Sequence, residues 1–119
     1  MGILSFLSTP STNTGTSEPS KELAFIQDEI NSHVAVVFSK SYCPFCDSTK
    51  QLLNPLIDDL KIIELDTMMN GVEIQNELRR MTGQSTVPNV FIKGEHIGGN
   101  DDTHHAYNIG KLQKLLSQK

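Results

Sequence analysis

The sequence predicts an α/β protein with a mixed four-stranded sheet flanked by helices, and three observations carry that prediction. Val34-Ala35-Val36-Val37-Phe38 is a continuous β-prone run of the kind buried on both faces of a sheet. Cys43-Pro44 then opens a helical stretch that leads to a second strand, Lys61-Ile62-Ile63-Glu64-Leu65. Pro88 introduces Asn89-Val90-Phe91-Ile92, a Lys93-Gly94-Glu95 turn and a short His96-Ile97-Gly98 strand, which together read as a hairpin.

The remaining elements follow in chain order. Residues 8 to 20 form a polar Ser/Thr-rich tract with nothing to bury, so residues 1–19 are expected to be a flexible tail and the domain to span 20–119. Ser20 suits the cap of a helix whose Leu23, Ile26 and Ile30 share one face. The helix after Pro44 should end near Asn54, before Pro55, which makes a right-handed βαβ unit with the strands around it. Asn70 with Glu73 signals a helix start, Ile74, Leu78 and Met81 repeat at helical spacing, and Gly83 suits the left-handed position after the last turn. Asp101 and Asp102 open a helical tail with Leu112, Leu115 and Leu116 on its buried stripe. The order α-β-α-β-α-β-β-α is a sandwich around a mixed sheet.

Composition removes several function classes. With 10 basic and 14 acidic residues the net charge is -4, which gives no general attraction for nucleic acid or anionic lipid. No apolar run reaches membrane-spanning length, and Ile3-Leu4-Ser5-Phe6-Leu7 is too short for a signal-peptide core. Phe6 breaks the myristoylation pattern after Gly2, and Arg79 and Arg80 lie too deep for a transit peptide. The expectation is a cytoplasmic protein.

The two cysteines carry the chemistry. Three residues apart, they would close a trivial loop, so stapling does not explain them. A zinc site needs a second such pair or suitably spaced histidines, and His96, His104 and His105 lack that spacing, so no metal is expected. If Pro44 is the first helical residue, Cys43 is the N-cap. Its sulfur then faces the N–H groups of Phe45 and Cys46 and the positive end of the helix, both of which favour a thiolate. Cys46 lies one turn inside, more buried, and within reach of whatever becomes bonded to Cys43. The pair divides into an attacking and a resolving thiol.

Three segments, Lys40-Ser41-Tyr42-Cys43-Pro44-Phe45-Cys46, Thr86-Val87-Pro88-Asn89-Val90-Phe91-Ile92 and Ile97-Gly98-Gly99-Asn100-Asp101-Asp102, occur in an order and at intervals that resemble the glutaredoxin family. The resemblance covers about residues 20–119, and the lack of tryptophan separates it from the Trp-Cys-Gly-Pro-Cys site of thioredoxins.

That resemblance implies a thioredoxin-like fold and a glutathione-dependent thiol-disulfide oxidoreductase with Cys43 and Cys46 as its catalytic residues. It implies a cis Pro88 opposite Cys43, with the Val87 backbone pairing with glutathione as an added strand. Gly99, Asn100 and Asp101 would hold the γ-glutamyl carboxylate, Asp101 or Asp102 its α-ammonium, and Lys40 and Gln75 the glycyl carboxylate. Glutathione is then a co-substrate, glutathionylated or disulfide-containing proteins are substrates of an enzyme expected to be a monomer, and an NADPH-dependent glutathione reductase is an indirect partner. The alternative is a non-enzymatic dimer carrying a glutathione-ligated [2Fe-2S] cluster through Cys43. Phe45 stands where tyrosine is frequent, and Ser85 where many relatives carry a cation. Pro44 differs from the small residue of cluster-assembling dithiol relatives, and Cys46 excludes the single-cysteine Cys-Gly-Phe-Ser class.

Overall fold

A computed structural model of the chain describes residues 20–118, so the expected tail at 1–19 lies outside the described residues. The elements are α1 (Lys21–Ser32), β1 (Ala35–Ser39), α2 (Pro44–Leu53), β2 (Leu60–Glu64), a 3-10 turn (Leu65–Thr67), α3 (Gly71–Thr82), β3 (Asn89–Ile92), β4 (Glu95–Gly98), α4 (Asn100–Asn108) and α5 (Lys111–Ser117). This is the expected thioredoxin-like architecture, a four-stranded sheet ordered β2-β1-β3-β4. β1 runs parallel to β2 and antiparallel to β3, which pairs antiparallel with β4.

All five residues of β1 are buried because helices cover both of its faces. Successive side chains point to opposite sides of a strand. Val36 and Phe38 enter a core with Ile26 and Ile30 of α1 and Ile74 and Leu78 of α3, where Phe38 meets Phe91 edge to face at 6.0 Å. Ala35 and Val37 enter a second core with Leu53 of α2, Ala106 of α4 and Leu112 of α5. Burying one large aliphatic side chain contributes roughly 1.5–3 kcal/mol, so the two layers grip the central strand from both sides. The ends of β1 are then fixed, and the segment after Ser39 has one place to go.

Several boundaries differ from the expectation, each for a local reason. β1 and β2 are displaced by one residue, in opposite directions, by the parallel register that sets Ala35 opposite Leu60. The hairpin turn is the two-residue Lys93-Gly94, with positive φ of 54° and 80°, and Glu95 already belongs to β4. Asn70 does precede α3 but makes no capping bond; its Nδ2 reaches Glu22 at 3.4 Å. Met81 is exposed, since Ile74 and Leu78 alone complete that stripe. The C-terminal tail is two helices rather than one. Gly110, at φ 84°, breaks it so that α5 can fold Leu112 back onto the sheet.

Candidate functional site

β1 delivers the chain to a short loop that ends on the first cysteine. Asp66, just beyond β2, accepts hydrogen bonds from the Ser41 N–H at 2.9 Å and from the Ser41 hydroxyl, and these hold its carboxyl below the usual range. The Cys43 N–H donates to Lys40 O at 3.1 Å and closes the turn. Cys43 is the N-cap of α2, Pro44 begins the helix, and the Cys43 Sγ accepts the Cys46 N–H at 3.3 Å. The spacing predicted this arrangement. Both cysteines are free thiols; Cys43 is half-buried and Cys46 fully buried. Burial, followed by the contact with Cys43, pushes the Cys46 thiol above its ordinary value. The two sulfurs therefore differ in access, as the division into attacking and resolving thiols requires.

The facing wall is the segment before β3. The Val87-Pro88 peptide is cis, and Val87 O lies 3.9 Å from the Cys43 Sγ. Two glutamines brace the segment. Gln84 donates through Nε2 to Thr86 O at 3.0 Å and Pro88 O at 2.9 Å, while Gln75 donates to Ser85 O at 2.6 Å. The carbonyls on either side of Val87 are thus occupied by side chains, and the Val87 carbonyl faces the sulfur.

The third wall is the start of α4. Gly98 has φ 125°, and a Cβ there would lie 2.3 Å from the Asp102 carboxylate, so this position requires glycine. Gly99 is the N-cap and has no side chain with which to satisfy the first N–H groups of the helix. Asp102 turns back to accept the Gly99 N–H at 3.0 Å. Asp101 stays exposed and joins none of the ion pairs among the described residues.

Val87, Pro88, Gly99, Asn100, Asp101 and Asp102, singled out from sequence, line one cleft of about 350 Å³ together with Phe45 and Thr86. Cys43 adjoins it through the Val87 carbonyl. A larger hollow of about 410 Å³ surrounds His33 and Asp59 at the opposite end of β1, away from either thiol. Lys40 and Gln75 do not line the cleft; Gln75 braces Ser85, and Lys40 adds its charge to those holding the Asp66 carboxyl ionised. Sequence reading passed over Gln84 and Thr49. A lone glutamine carries no periodic signal, and a threonine within a helix carries no mark of a partner on another helix. Among the described residues no three His, Cys, Asp or Glu side chains converge as a metal site, and no helix is long and apolar enough to cross a membrane.

Comparison with known proteins agrees with this geometry. The family model for glutaredoxin matches residues 35–97. A glutaredoxin from Vernicia fordii is 52% identical over 92 residues, covering 77% of this chain and 88% of that protein. Glutaredoxin-C4 of Arabidopsis thaliana is 46% identical over 97 residues, covering 82% of this chain and 72% of that one. The crystal structure of a buckwheat glutaredoxin-glutathione complex superposes with a TM-score of 0.78 at 44% identity, over 82% of this chain and 88% of the other. A wheat glutaredoxin superposes with a TM-score of 0.76 at 53% identity, over 81% and 91%.

Proposed function

The chain belongs to the glutaredoxin family, and from that premise we propose that it reduces protein-glutathione mixed disulfides and protein disulfides, with glutathione as its electron source. The observation that carries this reading is the placement of an accessible N-cap sulfur, Cys43, against the Val87 carbonyl, beside a cleft closed by the open N-terminus of α4. The reactive atom and a carboxylate-binding helix end share one surface. That combination suits a ligand bearing both a sulfur and carboxylates.

In the proposed cycle the Cys43 thiolate attacks the glutathione sulfur of a mixed disulfide. The Cys43–glutathione bond forms, the original disulfide breaks, and the protein leaves as a thiol after taking a proton from solvent. The extended glutathione backbone pairs with Val87, whose neighbouring carbonyls are already held by Gln84. Its γ-glutamyl carboxylate sits on the N–H groups of Asn100 and Asp101, and Asp101 answers the ammonium, because Asp102 is engaged with Gly99. Lys40 is the cation on the approach to Cys43, and Gln75 acts by holding Ser85. A second glutathione thiolate then attacks the bound glutathione sulfur, releases oxidised glutathione and restores Cys43. Alternatively Cys46 attacks Cys43, expels reduced glutathione and leaves a Cys43–Cys46 disulfide. An NADPH-dependent glutathione reductase regenerates the pool.

The test is turnover of a small glutathione mixed disulfide, coupled through glutathione reductase to NADPH consumption. Turnover that requires glutathione and vanishes after alkylation of Cys43 is the expected result. A protein that turns over nothing but is purified under anaerobic conditions as a brown dimer with visible absorption bands would instead be the cluster carrier.

A further inference from the structure

Helix α2 buries three side chains, Cys46, Thr49 and Leu53, on one face. The middle one is polar and fully enclosed. A buried hydroxyl without a partner is destabilising, and a mid-helix threonine usually satisfies itself on the carbonyl one turn back. Thr49 does not. Its Oγ1 donates at 2.8 Å to Asn100 Oδ1, across the gap between α2 and α4. Asn100 is the first residue of α4 and lines the cleft beside Cys43. Once its oxygen is held from inside, the carboxamide has one orientation, and its Nδ2, which has no hydrogen-bond partner among the described residues, is left to the cleft.

We propose that Thr49 is a positioning residue: by holding Asn100 Oδ1 it aims the Asn100 carboxamide nitrogen at the cleft as a further donor to the bound carboxylate, and it ties the helix carrying both cysteines to the helix holding the ligand. The proposal rests on the glutathione-dependent reading above and adds to it a side chain that never touches the ligand. Thr49 sits three residues after Cys46 on the same buried face of α2, so one face of one helix carries the resolving thiol and the anchor of the binding site. An apolar residue of the same shape would fill the core equally well, and only the hydroxyl reaches α4.

That difference supplies the experiment. Thr49→Val removes the hydroxyl and keeps the volume, Thr49→Ser keeps the hydroxyl, and Asn100→Ala removes the group acted on. Steady-state turnover of the glutathione mixed disulfide is measured for each variant and for Thr49→Val combined with Asn100→Ala, with the Tm of every variant alongside. The expected result is a KM raised about five- to tenfold in Thr49→Val with kcat within about twofold of wild type, the signature of lost binding rather than lost chemistry. Thr49→Ser restores the wild-type KM, and the double variant is no worse than Asn100→Ala alone. A wild-type KM in Thr49→Val, a Thr49→Ser that fails like the valine variant, or effects that simply add would each overturn the positioning role. Should Thr49→Val not fold, Thr49→Ala takes its place in the same cycle. An inactive wild-type protein would instead overturn the underlying reading, which the same assay reports independently.

Discussion

Helices α2 and α4 start on the same side of the sheet and meet the same physical problem in opposite ways. Each begins with N–H groups that no carbonyl within the helix can accept. In α2 the cap answers them itself: the Cys43 sulfur accepts the Cys46 N–H, and proline takes the first helical position, where no N–H is needed. In α4 the cap is Gly99, which has no side chain to offer, and Asp102 bonds the backbone of the cap rather than covering the first turn. A helix end that satisfies itself holds one of the protein's own atoms, here the Cys43 sulfur, in a defined place. A helix end left open is a receptor for someone else's oxygen. Set side by side, the two bring a sulfur and an open helix end to one cleft, each at the positive end of its own helix.

The strongest way to break the comparison is to remove the sulfur from the closed end. Cys43→Ser should abolish turnover of every substrate. Cys46→Ser, which changes the buried partner, should keep reduction of small glutathione mixed disulfides and lose reduction of those protein disulfides that need a second thiol. Coupled turnover on both substrate types, with mass spectrometry for a glutathione adduct on Cys43 in Cys46→Ser, reads the outcome; equal loss in both variants on the small substrate would overturn the division into attacking and resolving thiols.

Closing the open end should have the next largest effect. A Cβ at Gly99 meets only ordinary contacts, the nearest being Pro88 O at 3.7 Å, so Gly99→Ser is sterically permitted and gives α4 a cap of its own. The KM for glutathione substrates should rise on the order of tenfold, equivalent to about 1.4 kcal/mol, while stability changes by only about a few tenths of a kcal/mol. A wild-type KM would mean that the carboxylate does not sit on this helix end.

Uncapping a helix that holds no ligand should affect stability alone. Ser20 accepts the Leu23 N–H at 3.0 Å, and α1 packs on the core facing away from α2 and α4. Ser20→Ala should cost roughly 1 kcal/mol in chemical denaturation and leave turnover unchanged. Lost turnover would show that α1 supports the cleft.

The smallest effect concerns pH. His96 on β4, bonded to Asn89 and tilted against the Phe91 ring at 5.1 Å, is held below its ordinary value by burial, with Asp102 opposing in part. On acidification the unfolded chain takes up the imidazole proton first, so stability falls as the pH drops below about 6.5 and levels off beneath the folded value. Thermal unfolding across pH 5 to 8 should show this slope in wild type and a flatter one in His96→Gln. Equal slopes would place the titration elsewhere.

Much of this was legible in the chain itself. The Cys43-Pro44 step, the continuous Val34–Phe38 run and the Gly98-Gly99 pair each state a local rule: a cap with proline behind it, a strand buried on both sides, a backbone bare enough for close approach. Those rules act within a few residues, so sequence alone determined which sulfur caps a helix, which strand is central and which helix end is open. What joins residues far apart was decided by the tertiary structure. Nothing near Thr49 announces a bond to Asn100, and nothing near Gln84 announces that it would hold the carbonyls flanking Val87. Nor does anything near Gln75 announce its bond to Ser85 O, because the distance between α3 and the segment before β3 is set by how both pack on β1 and not by either sequence. The break at Gly110 has the same origin, since a helix continued past it would carry Leu112 away from the sheet whose surface it fills. Local patterns specify the groups a chain can present; only the packing of its layers decides which of those groups meet.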